Sequence, residues 1–332
     1  MSRYAQVYAS PNGPGDARPT AMQIIKDDKA ENTLKGEVVV ITGTSSGIGI
    51  ETARALAATG ATLFLTARNT AKAQSALAGI FDPSCMTIVE MDQEKLSSVR
   101  AAAETILSKT SKIHLLVNNA GIMAIPDLRL TADGHELQFG TNHLSHFLLY
   151  KLLEPALLAA ASPSLPSRVV SLSSSAHNVC GINDSDNYNF QKGGYDPSLA
   201  YGQSKTANIY LANEIERRHG ERHLHATSVH PGIVMTALTQ HMPADAFKGQ
   251  EHLYPTMKNP DQGAATTVWA AVSDTWKNKG GKYLHDCAEA EPYKEGDDKY
   301  TSKGYAPWAY DVEKAQRLWK DSLKIVGLPE DE

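Results

Sequence analysis

From Glu37 onward the chain alternates short runs of β-branched and apolar residues with longer stretches of helical texture, and this alternation limits the fold more than any other feature. The short runs are VVVITG (38–43), TLFLTA (62–67), MTIVEMD (86–92), IHLLVNN (113–119), RVVSLSS (168–174) and HATSVHPG (225–232). Helical segments fall between them near 47–59, 70–79, 94–108, 131–161 and 199–219. Strands alternating with helices of that length build βαβ units, whose right-handed crossovers stack into a parallel, doubly wound α/β sheet covered on both faces. Runs as apolar as VVVI suit strands buried from both sides. No repeat of fixed period and no linker interrupts the pattern, so residues 36–332 are expected to form a single domain. Residues 1–35, rich in Pro, Gly and polar side chains, are expected to be a partly disordered extension. The last fifty residues scatter tyrosines among Gly, Pro and charges, which predicts irregular structure ending in a helix over 312–324.

The first strand runs into Gly43-Thr44-Ser45-Ser46-Gly47-Ile48-Gly49 and then a helical pattern, IETARALAATG. Glycines there permit a tight turn and let the backbone approach a pyrophosphate, while the helix N-terminus offers free N–H groups to the anion. A glycine loop alone is weak, but its place after the first strand of a βαβ series points to a nucleotide site. The spacing is G-x-x-x-G-x-G rather than G-x-G-x-x-G, and TGxxxGIG resembles the short-chain dehydrogenase/reductase family. The resemblance spans residues 37–290 and implies a Rossmann-like, dinucleotide-binding catalytic domain. Within it, Asn118, Asn119, Ala120 and Gly121 match a segment that steadies the sheet beside the cofactor. Asp92 matches a contact to adenine, and Pro231, Gly232 and Thr236 match a segment that holds the nicotinamide carboxamide.

Hydride transfer to a carbonyl leaves an alkoxide that needs a proton, and the reverse reaction needs a base. A free tyrosine is too weak an acid for this, so a neighbouring cation is expected to stabilise its phenolate. Tyr201 and Lys205, at i and i+4 of a predicted helix, share one face. Chance alone supplies Y-x-x-x-K in such a chain, and Tyr254/Lys258 is another example. Tyr201 follows a strand and opens a long helix, as in the family, whereas Tyr254 stands in a Pro- and Met-containing loop and is read as surface or lid. Ser174 aligns with the family's catalytic serine, with Ser173 and Ser175 as neighbouring alternatives. Asn142 matches the asparagine that holds a water next to the lysine, and Lys205 is expected to bind the cofactor's ribose as well.

An acidic residue ends the second strand of NAD-binding relatives. Ala67 occupies that place here and Arg68 follows it, so a 2′-phosphate meets no repulsion and one planar cation. With Ser45 or Ser46 as a further donor, NADP(H) is the expected cofactor.

A net charge of −5 and the lack of a basic cluster argue against a nucleic-acid partner. Cys85, Cys180 and Cys287 lie far apart without ligand-spaced histidines, which reads as free thiols in the cytoplasm and no metal. His143, His146, His177 and His230 are read as ordinary core or surface histidines. The most apolar stretch, 147–161, carries Lys151, Glu154 and Pro155, so no membrane span is expected. The run Ser173–His177 and the long insert before Tyr201 resemble a retinol dehydrogenase-like and WW-domain oxidoreductase-like subgroup. That resemblance implies an NADP(H)-dependent oxidoreductase, of carbonyl reductase type, that interconverts an alcohol and a ketone or aldehyde on a hydrophobic small molecule. Epimerisation or dehydration with retained cofactor, and a non-catalytic NADP(H) sensor, are the rival readings. The insert 178–200 and the segment 239–257 are expected to form a mobile lid over the substrate, and a homo-oligomer is compatible with the sequence.

Overall fold

A computed structural model of the chain describes residues 2–242, 248–294, 296–299 and 301–331. Its elements run in chain order as α1 (Ala5–Ala9), α2 (Ala21–Asp27), β1 (Val38–Thr42), α3 (Ile48–Ala57), β2 (Thr62–Ala67), α4 (Thr70–Ala76), β3 (Met86–Glu90), α5 (Leu96–Leu107) and β4 (Leu115–Asn118). Then come α6 (Leu137–Phe139), a π-helical turn (Gly140–Leu144), α7 (Ser145–Ala160), β5 (Ser167–Leu172), α8 (Pro197–His219), β6 (Leu224–His230), α9 (Pro260–Val272), β7 (Lys282–His285), β8 (Ala288–Glu289) and α10 (Val312–Ile325). The strands form one sheet in the order β3-β2-β1-β4-β5-β6-β7-β8, parallel except for the β7–β8 pair. This is a single Rossmann-like fold.

Successive residues of a strand point to opposite faces, and both faces are covered, which is why the strand sequences are apolar throughout. Val40, Phe64 and Leu116 enter a core built with α5, α7, α8 and α10. Val39, Ile41, Leu63, Leu65, Leu115 and Val117 enter the opposite core, built with α2, α3 and α9. The switch in strand order falls between β1 and β4, so the carboxyl ends of these strands open a crevice where such sheets bind ligands.

The first 35 residues differ from the loose extension expected of them. Thr20 caps α2 by accepting from Gln23 N at 3.1 Å, and Ile24 and Ile25 are fully buried against α3 and α9. Upstream, the buried Arg18 guanidinium donates to the carbonyls of Gly13 (3.0 Å), Thr256 (2.8 Å) and Met257 (2.5 Å). Composition hid this, because two isoleucines and one arginine hold a stretch that is otherwise polar.

The insert 178–200 is packed rather than draped. Tyr188 stacks on Phe139 at 5.1 Å and donates to Asp321 at 2.6 Å, while Tyr195 donates to Ile125 O at 2.9 Å. In the second expected lid segment, 3₁₀ turns occupy Ala237–His241 and Glu251–Thr256, and residues 243–247 lie outside the described residues. Helix α9, capped by the reciprocal Asn259–Gln262 pair, and strands β7 and β8 carry no signal in the sequence pattern.

Candidate active site

A cleft of about 320 Å³ lies over the carboxyl ends of the strands. Its floor is the glycine loop. Gly43 (φ +73°) and Gly47 (φ +61°) take left-handed backbone, and a Cβ on Gly43 would come within 2.7 Å of Ala120 Cβ. A Cβ on Gly49 would run into Gly43 O. Thr42 and Asn119 lock this loop to the neighbouring strand: Asn119 and Ala120 N–H groups donate to Thr42 Oγ1 at 2.9 and 3.0 Å, and Asn119 Nδ2 donates to Thr42 O at 2.8 Å. The result is a backbone cradle at the N-terminus of α3 whose close approaches only glycine allows, which fits the pyrophosphate of a dinucleotide.

Gly43, Ser45, Ser46, Gly47, Ile48, Gly49, Arg68, Asp92, Asn119, Ala120, Gly121, Tyr201, Lys205, Pro231 and Thr236 all line this cleft. Gly232 does not. Its φ is +98°, and a Cβ there would meet the Lys258 side chain at 2.9 Å. At the adenosine end, Ala67 presents no carboxylate, but Arg68 is already paired with Glu94 at 3.0 Å and its side chain is 70% exposed. Asp92 accepts from Glu94 N at 3.1 Å and pairs with Lys95 at 3.2 Å. Lys72 and Gln93 also line this end, and neither carried a signal in the sequence.

At the inner end, Tyr201 and Lys205 rise from the first half of α8, both buried, with Lys205 Nζ 5.4 Å from the Tyr201 ring centroid. Lys205 Nζ donates to Leu172 O at 3.2 Å, which ties it to the end of β5. Burial pushes the Tyr201 phenol up to about 12, against a hydrogen bond from Ser174 that lowers it. Burial likewise brings the Lys205 ammonium down to about 8. Desolvation is the larger of the two influences on the phenol.

The three serines after β5 are separated by their partners. Ser173 spends its hydroxyl on Lys205 O at 2.8 Å, whereas Ser174 is the serine close enough to the Tyr201 phenol to lower it. Asn142 lies in the π-helical turn with its side chain fully used: Oδ1 accepts from Ile122 N at 2.9 Å, and Nδ2 donates to Ile122 O at 3.0 Å and Ser204 Oγ at 2.9 Å. That amide braces the Gly121–Ile122 wall, and a Cβ on Gly121 would lie 3.1 Å from Asn142 Oδ1 and 3.5 Å from Lys205 Nζ.

The Tyr254/Lys258 pair is split by the structure. Tyr254 is 59% exposed and covers Gly13. Lys258 is buried; it pairs with Asp286 at 2.8 Å and donates to Pro231 O at 3.1 Å. Only the fold brings residues 231, 258 and 286 together, so no local pattern could have shown it. Among the described residues no helix is long and apolar enough to cross a membrane.

Residues 37–246 match the family model described as short chain dehydrogenase. The chain is 46% identical over 331 residues to "Short-chain dehydrogenase/reductase prx1" of Penicillium roqueforti, covering 99% of this chain and 96% of that one. It is 34% identical over 307 residues to human "Retinol dehydrogenase 13", covering 89% of this chain and 86% of that protein. A crystal structure of an uncharacterised Mycobacterium paratuberculosis protein superimposes with a TM-score of 0.69 at 32% identity, over 91% of this chain and 97% of its own. With the glycine cradle, the parallel sheet and these matches all pointing one way, the chain belongs to the short-chain dehydrogenase/reductase family, within its retinol dehydrogenase-like subgroup.

Proposed function

We propose that this protein is an NADP(H)-dependent oxidoreductase that interconverts an alcohol and a ketone or aldehyde on an apolar small molecule. The observation that carries the reading is the buried Tyr201–Lys205 pair at the inner end of a cleft whose outer end is a glycine cradle. Gly43, Gly47 and Gly49 would hold the pyrophosphate, Arg68 the 2′-phosphate, and Pro231 and Thr236 the nicotinamide end. When bound, the cofactor supplies the hydride for reduction or accepts it in oxidation.

The remaining work falls to side chains of this chain. Tyr201 Oη delivers the proton that the carbonyl oxygen needs as it becomes an alcohol, and removes it in the reverse direction. A phenol held near 12 is fully protonated at neutral pH, which is the form that reduction requires. Ser174 Oγ orients and polarises the carbonyl oxygen, a contribution that grows as charge develops there. Lys205 places a cation within 5.4 Å of the phenol ring and can bind the ribose. Asn142 acts as a positioning residue through the Gly121–Ile122 wall.

A panel of carbonyls and alcohols, followed through the absorbance of reduced nicotinamide with NADPH and NADP⁺, tests the reading. Stoichiometric consumption of NADPH with one member supports it. Product formation without net cofactor turnover would assign an isomerising reaction to the same site.

A further inference from the structure

The peptide that joins Ser174 to Ser175 is gripped from both sides by histidine rings. His177 Nδ1 lies 2.7 Å from Ser174 O, and its Nε2 lies 3.2 Å from Ala306 N. A carbonyl can only accept and a backbone N–H can only donate, so the two contacts fix one tautomer, with the proton on Nδ1 and the lone pair on Nε2. On the other side, His230 Nδ1 accepts from Ser175 N at 3.2 Å, which requires its proton on Nε2. Both rings are buried, and burial holds both well below the ordinary histidine range, so each acts as a neutral imidazole.

This grip reaches the C-terminal part of the chain. Ala306 precedes the 3₁₀ turn Pro307–Tyr310, and Trp308 Nε1 donates to His177 O at 2.9 Å. Asn178 Nδ2 donates to Gly304 O at 3.2 Å. Tyr210 and Asn213 of α8, five and eight residues past Lys205, donate to Trp308 O at 2.7 Å and Ala309 O at 3.0 Å. Segment 304–310 is thereby fastened to the helix that carries Tyr201 and, through one imidazole, to the backbone of Ser174. Ser174 itself is extended (φ −162°, ψ 157°) with Oγ accepting from Ala176 N at 3.2 Å. Its hydroxyl direction thus depends on how the 174–175 peptide is oriented.

We infer that His177 is a positioning residue: as the Nδ1–H tautomer, held by Ala306, it fixes the Ser174 carbonyl and so aims the Ser174 hydroxyl at the reacting oxygen. The inference rests on the reading of Ser174 given above. An asparagine can place its amide nitrogen near the position of Nδ1, and a glutamine places its polar atoms near Nε2. His177→Asn therefore keeps the bond to Ser174 O, whereas His177→Gln keeps only the bond to Ala306.

The test measures kcat, KM and NADPH affinity for both variants, alone and in a Ser174→Ala background. His177→Gln should lower kcat about 10- to 100-fold, the scale of an ångström-level misplacement, with NADPH affinity within about twofold of wild type. His177→Asn should stay within about threefold of wild type. In the Ser174→Ala background His177→Gln should cost less than about twofold more, because the group it aims is gone. Equal losses in Asn and Gln, or full additivity with Ser174→Ala, would overturn the inference. Near-normal activity in Ser174→Ala alone would instead overturn the reading of the site. On the unmodified protein, ¹⁵N NMR should report the Nδ1–H tautomer of His177 at neutral pH, and an Nε2–H tautomer refutes the proposal even if a variant fails to fold.

Discussion

Replacing Arg68 by alanine should reduce the preference for NADPH over NADH by about 5- to 30-fold, and the magnitude follows from what Arg68 does without cofactor. Its guanidinium pairs with Glu94 at 3.0 Å while 70% exposed. Such an exposed pair is worth about 0.5–1 kcal/mol. A charge-assisted bond to a 2′-phosphate is worth roughly 1.5–3 kcal/mol. If the phosphate displaces Glu94, the net gain is about 1–2 kcal/mol, which is the stated factor. The kcat/KM ratio of the two cofactors, measured for wild type, Arg68→Ala and Glu94→Gln, checks this. Arg68→Ala should lower the ratio by that factor, and Glu94→Gln should raise it by up to about fivefold, since it removes the competing carboxylate. If Arg68→Ala weakens NADPH and NADH equally, Arg68 covers the adenine instead of gripping a phosphate. If wild type prefers NADH, the reasoning from Ala67 fails altogether.

Ile24→Ala should destabilise the protein by about 2–5 kcal/mol, because Ile24 is fully buried in the core against α9; a chemical-denaturation midpoint equal to wild type would mean that α2 is not docked in solution. Burial lowers His143 to about 3 and His146 and His177 to about 4. The unfolded chain therefore binds more protons than the folded one between roughly pH 4 and 6.5, and stability must decline as pH falls through that window. A melting temperature that stays constant from about pH 7 to 5 would contradict this. Because Tyr201 is raised to about 12, alcohol oxidation should accelerate as pH rises above neutral while carbonyl reduction does not, and parallel pH profiles for the two directions would show that another group carries the proton.

The parts of the fold that were legible in the sequence are those whose cause is local. Strands buried on both faces must be apolar throughout, so VVVIT and TLFLTA announce themselves, as does a glycine turn whose φ angles exclude other residues. The Tyr201–Lys205 pair was legible because one helical turn fixes its geometry. What escaped depends on contacts distant in sequence. Nothing in DARPT predicts that Arg18 will bind carbonyls some 240 residues later, and α2 is short enough that two isoleucines carry its docking. Helix α9 was hidden by its small residues, GAATT, which pack closely against α3 and α2 without an amphipathic stripe. The groups that meet the Asn142 amide are set by the Gly121–Ile122 turn on another element, so no local pattern shows them.

The account stands or falls on Tyr201 as the proton-transferring group. Tyr201→Phe removes one hydroxyl from a side chain held by burial and leaves the glycine cradle untouched. Turnover of whichever carbonyl the wild-type protein reduces should then drop by at least 10²- to 10⁴-fold, with NADPH affinity within about twofold of wild type. Near-normal turnover in Tyr201→Phe, together with loss of activity in Tyr254→Phe, would contradict the assignment of the site.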